Sequence, residues 1–185
     1  KFLPGSCGMA VKHMEIRVDS SDQENVPGEV LSRGLNTMLG YYKNEEATRA
    51  VLDADGWYHT GDLGTMSADG HVFIRGRIKN MLLGSNGQNV YPEEIEDKLN
   101  SMAYVNESLI VQKGDKLIGL VHPDYDEAKA MDFNDDDLMS IMEQNRLKLN
   151  EQLPPFCKIS ELRLHEDEFV KTPKKSIKRY LYKDV

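Results

Sequence analysis

GHVFIRGRIKNMLLGSNGQNVYPEEIE, Gly70 to Glu96, contains the change of texture that sets the organisation of the chain. Up to Arg77 the residues form short β-like runs bounded by glycine. After Arg77 come a short apolar run, a Gly-Ser-Asn-Gly turn, a second β segment and then Pro92 with Glu93 and Glu94. Proline is pre-shaped for the first position of a helix, and carboxylates there complement the positive end of the helix dipole. Ile95 and Leu99, four residues apart, share one helical face. A β-rich part and a mixed part therefore meet around Arg77–Asn80, with no low-complexity linker between them.

Working outward from that joint, Met14–Val18 alternates apolar and polar residues, and Gly28–Gly34 reads as a short strand bounded by glycines. Asn44 is a good N-cap, and Glu45 and Glu46 favour the first turn of a helix running to about Leu52. Two β-runs follow, joined at Asp69-Gly70, a strong hairpin signal. Beyond the joint, SLIVQKGDKLIGLVH reads as a hairpin around Gly114-Asp115. Asn134–Asp137 caps a helix with an apolar stripe of Leu138, Ile141, Met142 and Leu149, which Pro154 and Pro155 stop. A strand over Ile159–Leu164 and a basic tail complete an α+β chain. Residues 1–77 form its β-rich part, and residues 78–185 a small mixed α/β domain in βαββαβ order.

Bulk properties remove several classes of function. A formal net charge of −8 over 185 residues argues against general nucleic-acid binding, which needs Lys and Arg on phosphates. Cys7 and Cys157 match no metal-ligand spacing and read as free thiols in a reducing, cytoplasmic compartment. His13, His59, His71, His122 and His165 make no i, i+4 metal pair, so no metal is assigned to protein ligands. No apolar run approaches the roughly 18 residues of a membrane span. The start, KFLPGSCG, lacks an apolar h-region and an initiator Met, and reads as the edge of a piece cut from a longer protein.

Four stretches could carry chemistry. In GWYHTGDLG (Gly56–Gly64), glycines let the backbone approach a ligand while Asp62 accepts two hydrogen bonds, as a ribose diol requires. Alternatively, Asp62 stabilises its own turn. In RGRIKN (Arg75–Asn80), Arg77 offers a planar fork for a diol or phosphate, or is an ordinary surface arginine. In LLGSNGQNVYPEEIE (Leu82–Glu96), the turn could present an anion to the helix that follows, but Glu93 and Glu94 already place negative charge there. A simple hairpin turn is the better local reading. Finally, KTPKKSIKRY (Lys171–Tyr180) gathers five positive charges within nine residues of an acidic protein, either as a solvated tail or as a face for an anion.

Taken in order, GEVLSRGLNTMLGYYKNEEAT, DGWYHTGDLG and the Gly70–Glu96 stretch resemble the adenylate-forming (AMP-binding) superfamily. Within it they most resemble long-chain fatty-acid CoA ligases (acyl-CoA synthetases), and SNGQNVYPEEIE leans toward that branch. The resemblance covers nearly the whole chain. It implies two half-reactions: a carboxylate attacks the α-phosphorus of ATP, with Mg²⁺ present, to give acyl-AMP and pyrophosphate. The C-terminal domain then rotates and the thiol of coenzyme A displaces AMP. It places the family's ribose-binding residues at Asp62 and Arg77 and its hinge at Lys79. The loop of Gly84, Ser85, Asn86 and Gly87 falls on the coenzyme A side, beside the pantetheine path.

The resemblance also implies that residues 1–77 are the last subdomain of the large N-terminal domain and residues 78–185 the complete small one. The family's phosphate loop, its adenine and magnesium motif and most of the acyl pocket would lie upstream. The missing N-terminal portion, fatty acid, ATP and coenzyme A are the expected partners. No cofactor is expected to stay tightly bound to this chain, which alone is expected not to make acyl-AMP. Acyl chain length, oligomeric state and peripheral membrane association stay open. In the tail, the family pattern Thr-x-x-Gly-Lys-Ile-x-Arg aligns on Thr172, Ile177 and Arg179. That puts Ser176 at the catalytic lysine's position and Lys175 where glycine often sits. Lys175, or Lys174, could stand in if the loop shifts by a residue, and Lys175 is the favoured catalytic candidate. Three other functions compete: an acyl-AMP or acyl-carrier-protein ligase, a non-catalytic relative and, weakest, a nucleic-acid-binding tail, which would need steep salt-dependent binding to arbitrary duplex.

Overall fold

The computed structural model describes residues 3–84 and 86–183. It divides into two compact units, one ending at Asn80 and the other starting at Met81.

The first unit is built on a four-stranded antiparallel sheet in the order β1 (Met14–Asp19), β2 (Gly28–Gly34), β3 (Tyr58–Met66) and β4 (Val72–Arg77). Alternation along β1 turns Ile16 and Val18 to one side, where they pack with Val30, Met66 and Val72. Between β2 and β3 lies the short helix α1 (Glu45–Arg49), whose Ala47 N–H donates to the Asn44 side chain as the capping pattern predicts. It ends sooner than the sequence suggests, with Ala50 as its C-cap. Between Glu29 and Leu31 of β2 the register shifts because β3 carries extra residues between His59 and Leu63. Between Leu63 and Gly64 of β3 it shifts because β4 carries an extra residue at Arg75. Such bulges bend β3 and β4 and re-aim their side chains.

The second unit opens with a small hairpin of β5 (Leu82–Leu83) and β6 (Asn89–Val90) and the helix α2 (Pro92–Asn100). A three-stranded sheet follows, with β7 (Val105–Lys113) antiparallel to β8 (Lys116–Pro123). The two-residue Gly114-Asp115 turn joins them. Strand β9 (Ile159–Leu164) then pairs parallel with β8, which requires a long crossover. Helices α3 (Tyr125–Ala130) and α4 (Asp135–Glu151) supply it. The sequence reading missed α3, a short helix capped by Asp124 with no apolar period to announce it. Helix α4 has a capping box in which Asn134 and Asp137 satisfy each other's backbone N–H groups.

The near-continuous apolar runs of β7 and β8 have a plain cause: their sheet is covered on both faces. Ile110, Leu117 and Val121 pack with Ile95 and Leu99 of α2 and with Met142 and Leu149 of α4. Leu109, Val111, Ile118 and Leu120 face the other way and pack with Phe169 and Tyr182, and Ile177 joins them. The basic tail is therefore not simply solvated: its apolar residues cover a sheet face and its charged tip stands out from it.

Both cysteines are free thiols, Cys7 exposed and Cys157 buried. Among the described residues, no helix is long and apolar enough to cross a membrane, and no group of three or more His, Cys, Asp or Glu side chains could hold a metal ion.

Candidate functional site

In the first unit, the pairing register sets Asp62 of β3 directly opposite Arg77 of β4. Arg77 Nε donates to Asp62 Oδ1 at 2.9 Å, and another guanidinium nitrogen donates to the Thr60 carbonyl at 3.0 Å. Both side chains are partly open to solvent, with 32% of Asp62 and 51% of Arg77 exposed. An ion pair so wetted contributes little to stability and yields readily to a ligand. One group that accepts and one that donates thus lie side by side, the chemistry a vicinal diol requires.

What holds Asp62 in place was not visible in the sequence. Gly61 adopts φ +71°, in the left-handed region that glycine enters at little cost. Its N–H donates to Glu29 Oε1 at 3.0 Å, while Glu29 Oε2 lies 2.8 Å from His59 Nδ1. Thr60 Oγ1 donates to the Val30 carbonyl at 2.7 Å and accepts from the Asp62 N–H at 3.0 Å. Glu29 and the Val30 carbonyl of β2 therefore brace the turn, gripping Gly61, His59 and Thr60 of β3. Glu29 lies more than thirty positions from Gly61, and only strand pairing brings them together. Gly61→Ala should cost about 1 kcal/mol of stability in thermal unfolding, from left-handed strain. It should also tilt the Asp62 carboxylate away from Arg77.

Lys79 lies exposed in a single 3₁₀ turn, Ile78–Asn80, at the end of the first unit. In the second unit, Gly84 and Gly87 close the turn of the β5–β6 hairpin, the Gly87 N–H donating to the Gly84 carbonyl at 2.9 Å. Asn86 Oδ1 accepts from the Gln88 N–H at 3.1 Å. Ser85 lies outside the described residues. The hairpin is tied to β7 where Gln112 Nε2 donates to the Leu83 carbonyl at 3.0 Å. The turn thus closes on its own polar groups, as the local reading expected, and α2 begins with Pro92, Glu93 and Glu94 in its first turn.

The basic run is a tight hairpin of its own. Lys171 bridges to Ile177, the Lys175 N–H donates to the Thr172 carbonyl at 2.9 Å, and the Thr172 N–H donates to the Ser176 carbonyl at 2.8 Å. Pro173 supplies the φ that the first turn position requires. Lys175 then adopts φ +61°, the conformation that favours glycine, at the place where the family pattern often has one. Pro173, Lys174, Lys175 and Ser176 are exposed at the tip. Two of the run's five cations are engaged inside the unit, Lys171 with Glu107 and Arg179 with Glu96 and Glu93. Among the described residues, Lys174, Lys175 and Lys178 have no ion-pair partner.

The chain belongs to the AMP-binding enzyme family: the model of that family's C-terminal domain matches residues 79–184. It is 41% identical over 138 residues to a CoA ligase of Rhodococcus jostii named for an octahydroindenyl-propanoyl group, across 74% of this chain and 25% of that one. It is 38% identical over 122 residues to a 4-coumarate–CoA ligase of Oryza sativa subsp. japonica, across 63% of this chain and 21% of that one. Among solved structures, ATP-bound MatB from Rhodopseudomonas palustris matches with a TM-score of 0.73 at 25% identity, over 98% of this chain and 36% of that one. The chain thus spans about a quarter of the length of the curated relatives it matches.

Proposed function

We propose that this chain is the C-terminal part of an ATP-dependent acyl-CoA ligase, which makes acyl-CoA, AMP and pyrophosphate through an acyl-AMP intermediate. The observation that carries the proposal is the Asp62–Arg77 pair, an acceptor and a donor presented together on a glycine turn. In this reading the two residues hold the ribose diol of ATP and then of the adenylate. Lys79 is the hinge between residues 1–77 and residues 78–185. The turn of Gly84, Ser85, Asn86 and Gly87 lines the coenzyme A side. Lys175 at the tip of the tail hairpin is the amine that follows charge building at the α-phosphate. Magnesium would enter with the ATP phosphates.

For the acid we propose a long-chain fatty acid, on the strength of the SNGQNVYPEEIE stretch, although relatives are named for quite different acids. The test is the longer protein supplied with ATP, coenzyme A and a panel of long-chain, aromatic and short-chain acids. Long-chain acyl-CoA appearing in step with AMP is the expected result. Turnover confined to aromatic acids would overturn the fatty-acid assignment, and thioester forming only on a carrier protein would favour that acceptor. A second reading, a non-catalytic relative, draws on Ser176 standing where the family pattern has its lysine. The absence of any adenylate from the panel would establish it.

A further inference from the structure

The tail hairpin is clamped at both ends to the body of its own unit. On the entering arm, Lys171 Nζ lies 2.7 Å from Glu107 Oε2 of β7. On the leaving arm, Arg179 pairs with Glu96 of α2 and lies 3.8 Å from Glu93. Glu96 is only 7% exposed, and its other carboxylate oxygen accepts from the Ile110 N–H of β7 at 2.6 Å. A single buried carboxylate thus joins α2, β7 and the tail. Between the two clamps, Ile177 packs on the buried sheet face; just outside them, the Tyr182 hydroxyl accepts from the Val170 N–H at 2.9 Å.

Stability alone is a poor reason for such a carboxylate. Burial pushes its pKa up, although Arg179 and the Ile110 N–H both act to lower it. A buried ion pair can often be replaced by apolar groups of similar volume at little or no cost. What apolar packing does not supply is a directional link that fixes where the tail leaves the sheet. Everything between the clamps is short: the tip from Pro173 to Ser176 has no freedom to slide along the sheet while both ends are held.

We propose that Glu96 and Arg179 are positioning residues for adenylation, locking the base of the Lys171–Ile177 hairpin so that its tip amine meets the α-phosphate in one register. This assignment rests on the acyl-CoA ligase reading above. Neither residue touches substrate, and both act through the hairpin they hold.

Glu96→Gln separates this role from folding, because glutamine keeps the size and the acceptor for the Ile110 N–H while losing the charge that holds Arg179. In the longer protein, acid-dependent ATP–pyrophosphate exchange should fall on the order of 10²-fold, as for a misplaced catalytic group. Thioester formation from supplied acyl-AMP should be unchanged. In the 185-residue chain, hydrogen exchange at the Lys175 and Lys178 amides should quicken by about tenfold through local opening, with Ile118 and Leu120 of β8 unaffected. Arg179→Lys, which retains the charge, should lose less exchange activity than Arg179→Gln. Both half-reactions falling in equal proportion would mark a merely structural role and overturn the assignment. Unchanged protection of the hairpin would overturn the clamp itself. Wild-type protein that makes no adenylate would overturn the ligase reading and with it the role in adenylation.

Discussion

Lys175→Ala in the longer protein is expected to lower acid-dependent ATP–pyrophosphate exchange by about 10²- to 10³-fold, the range seen when one preorganised group is removed from a developing charge. Thioester formation from supplied acyl-AMP should be untouched, because the amine would act on charge that builds only during adenylation. The geometry behind this expectation is specific. Lys175 stands at an exposed hairpin tip in the left-handed conformation, its N–H held by the Thr172 carbonyl. The same hydrogen bonds place Ser176 one residue further along, where the resemblance expects the lysine. Ser176→Lys therefore forms the natural counterpart, and it should compensate for the loss of Lys175 in the double variant. If Lys175→Ala leaves the exchange rate unchanged, Lys175 is not the amine. If Ser176→Lys alone then raises that rate steeply, the lysine's place is vacant in this protein.

Asp62→Ala should behave differently, and the contrast is informative. Asp62 would accept from the ribose both while ATP reacts and while coenzyme A displaces AMP, so both half-reactions should slow together. Hydrogen bonds to a charged group are each worth roughly 1.5–3 kcal/mol, which predicts nucleotide affinity weaker by about 10- to 10²-fold. Folding should scarcely change, since the Asp62–Arg77 pair is too exposed to contribute much. The chain's single tryptophan offers a reporter for the same unit: the guanidiniums of Arg17 and Arg33 each lie over the Trp57 ring, 4.5 Å from its centroid. AMP should perturb Trp57 fluorescence in the wild type of the longer protein at concentrations where Asp62→Ala shows no response. Equal affinity in the two would remove Asp62 from the nucleotide site.

The elements that carry strong local signals were legible in the sequence. The Gly114-Asp115 turn, Pro92 at the start of α2 and the Asn134 cap of α4 each depend on neighbours within a few residues, and each stands where the pattern puts it. Helix α3 was missed because six residues are too few for a periodic stripe, leaving only a cap and an acidic first turn. The candidate site was legible in its exposed members, Asp62 and Arg77, whose residue types announce their chemistry. Its supports were not. Glu29 reaches Gly61, and Glu96 reaches Arg179, across 32 and 83 positions of sequence. Glu96 did leave a trace, as a carboxylate on the same helical face as Leu99, with Ile95 beside it, where a polar group needs a partner. Its partner could be found only once the tail was folded back onto the sheet.

Whether these residues serve an adenylate-forming ligase is decided by ATP–pyrophosphate exchange measured with the longer protein and the 185-residue chain side by side. Exchange that requires a carboxylic acid is expected in the longer protein, and none in the 185-residue chain by itself. Exchange by this chain alone, or none by the longer protein with any acid, would contradict that expectation.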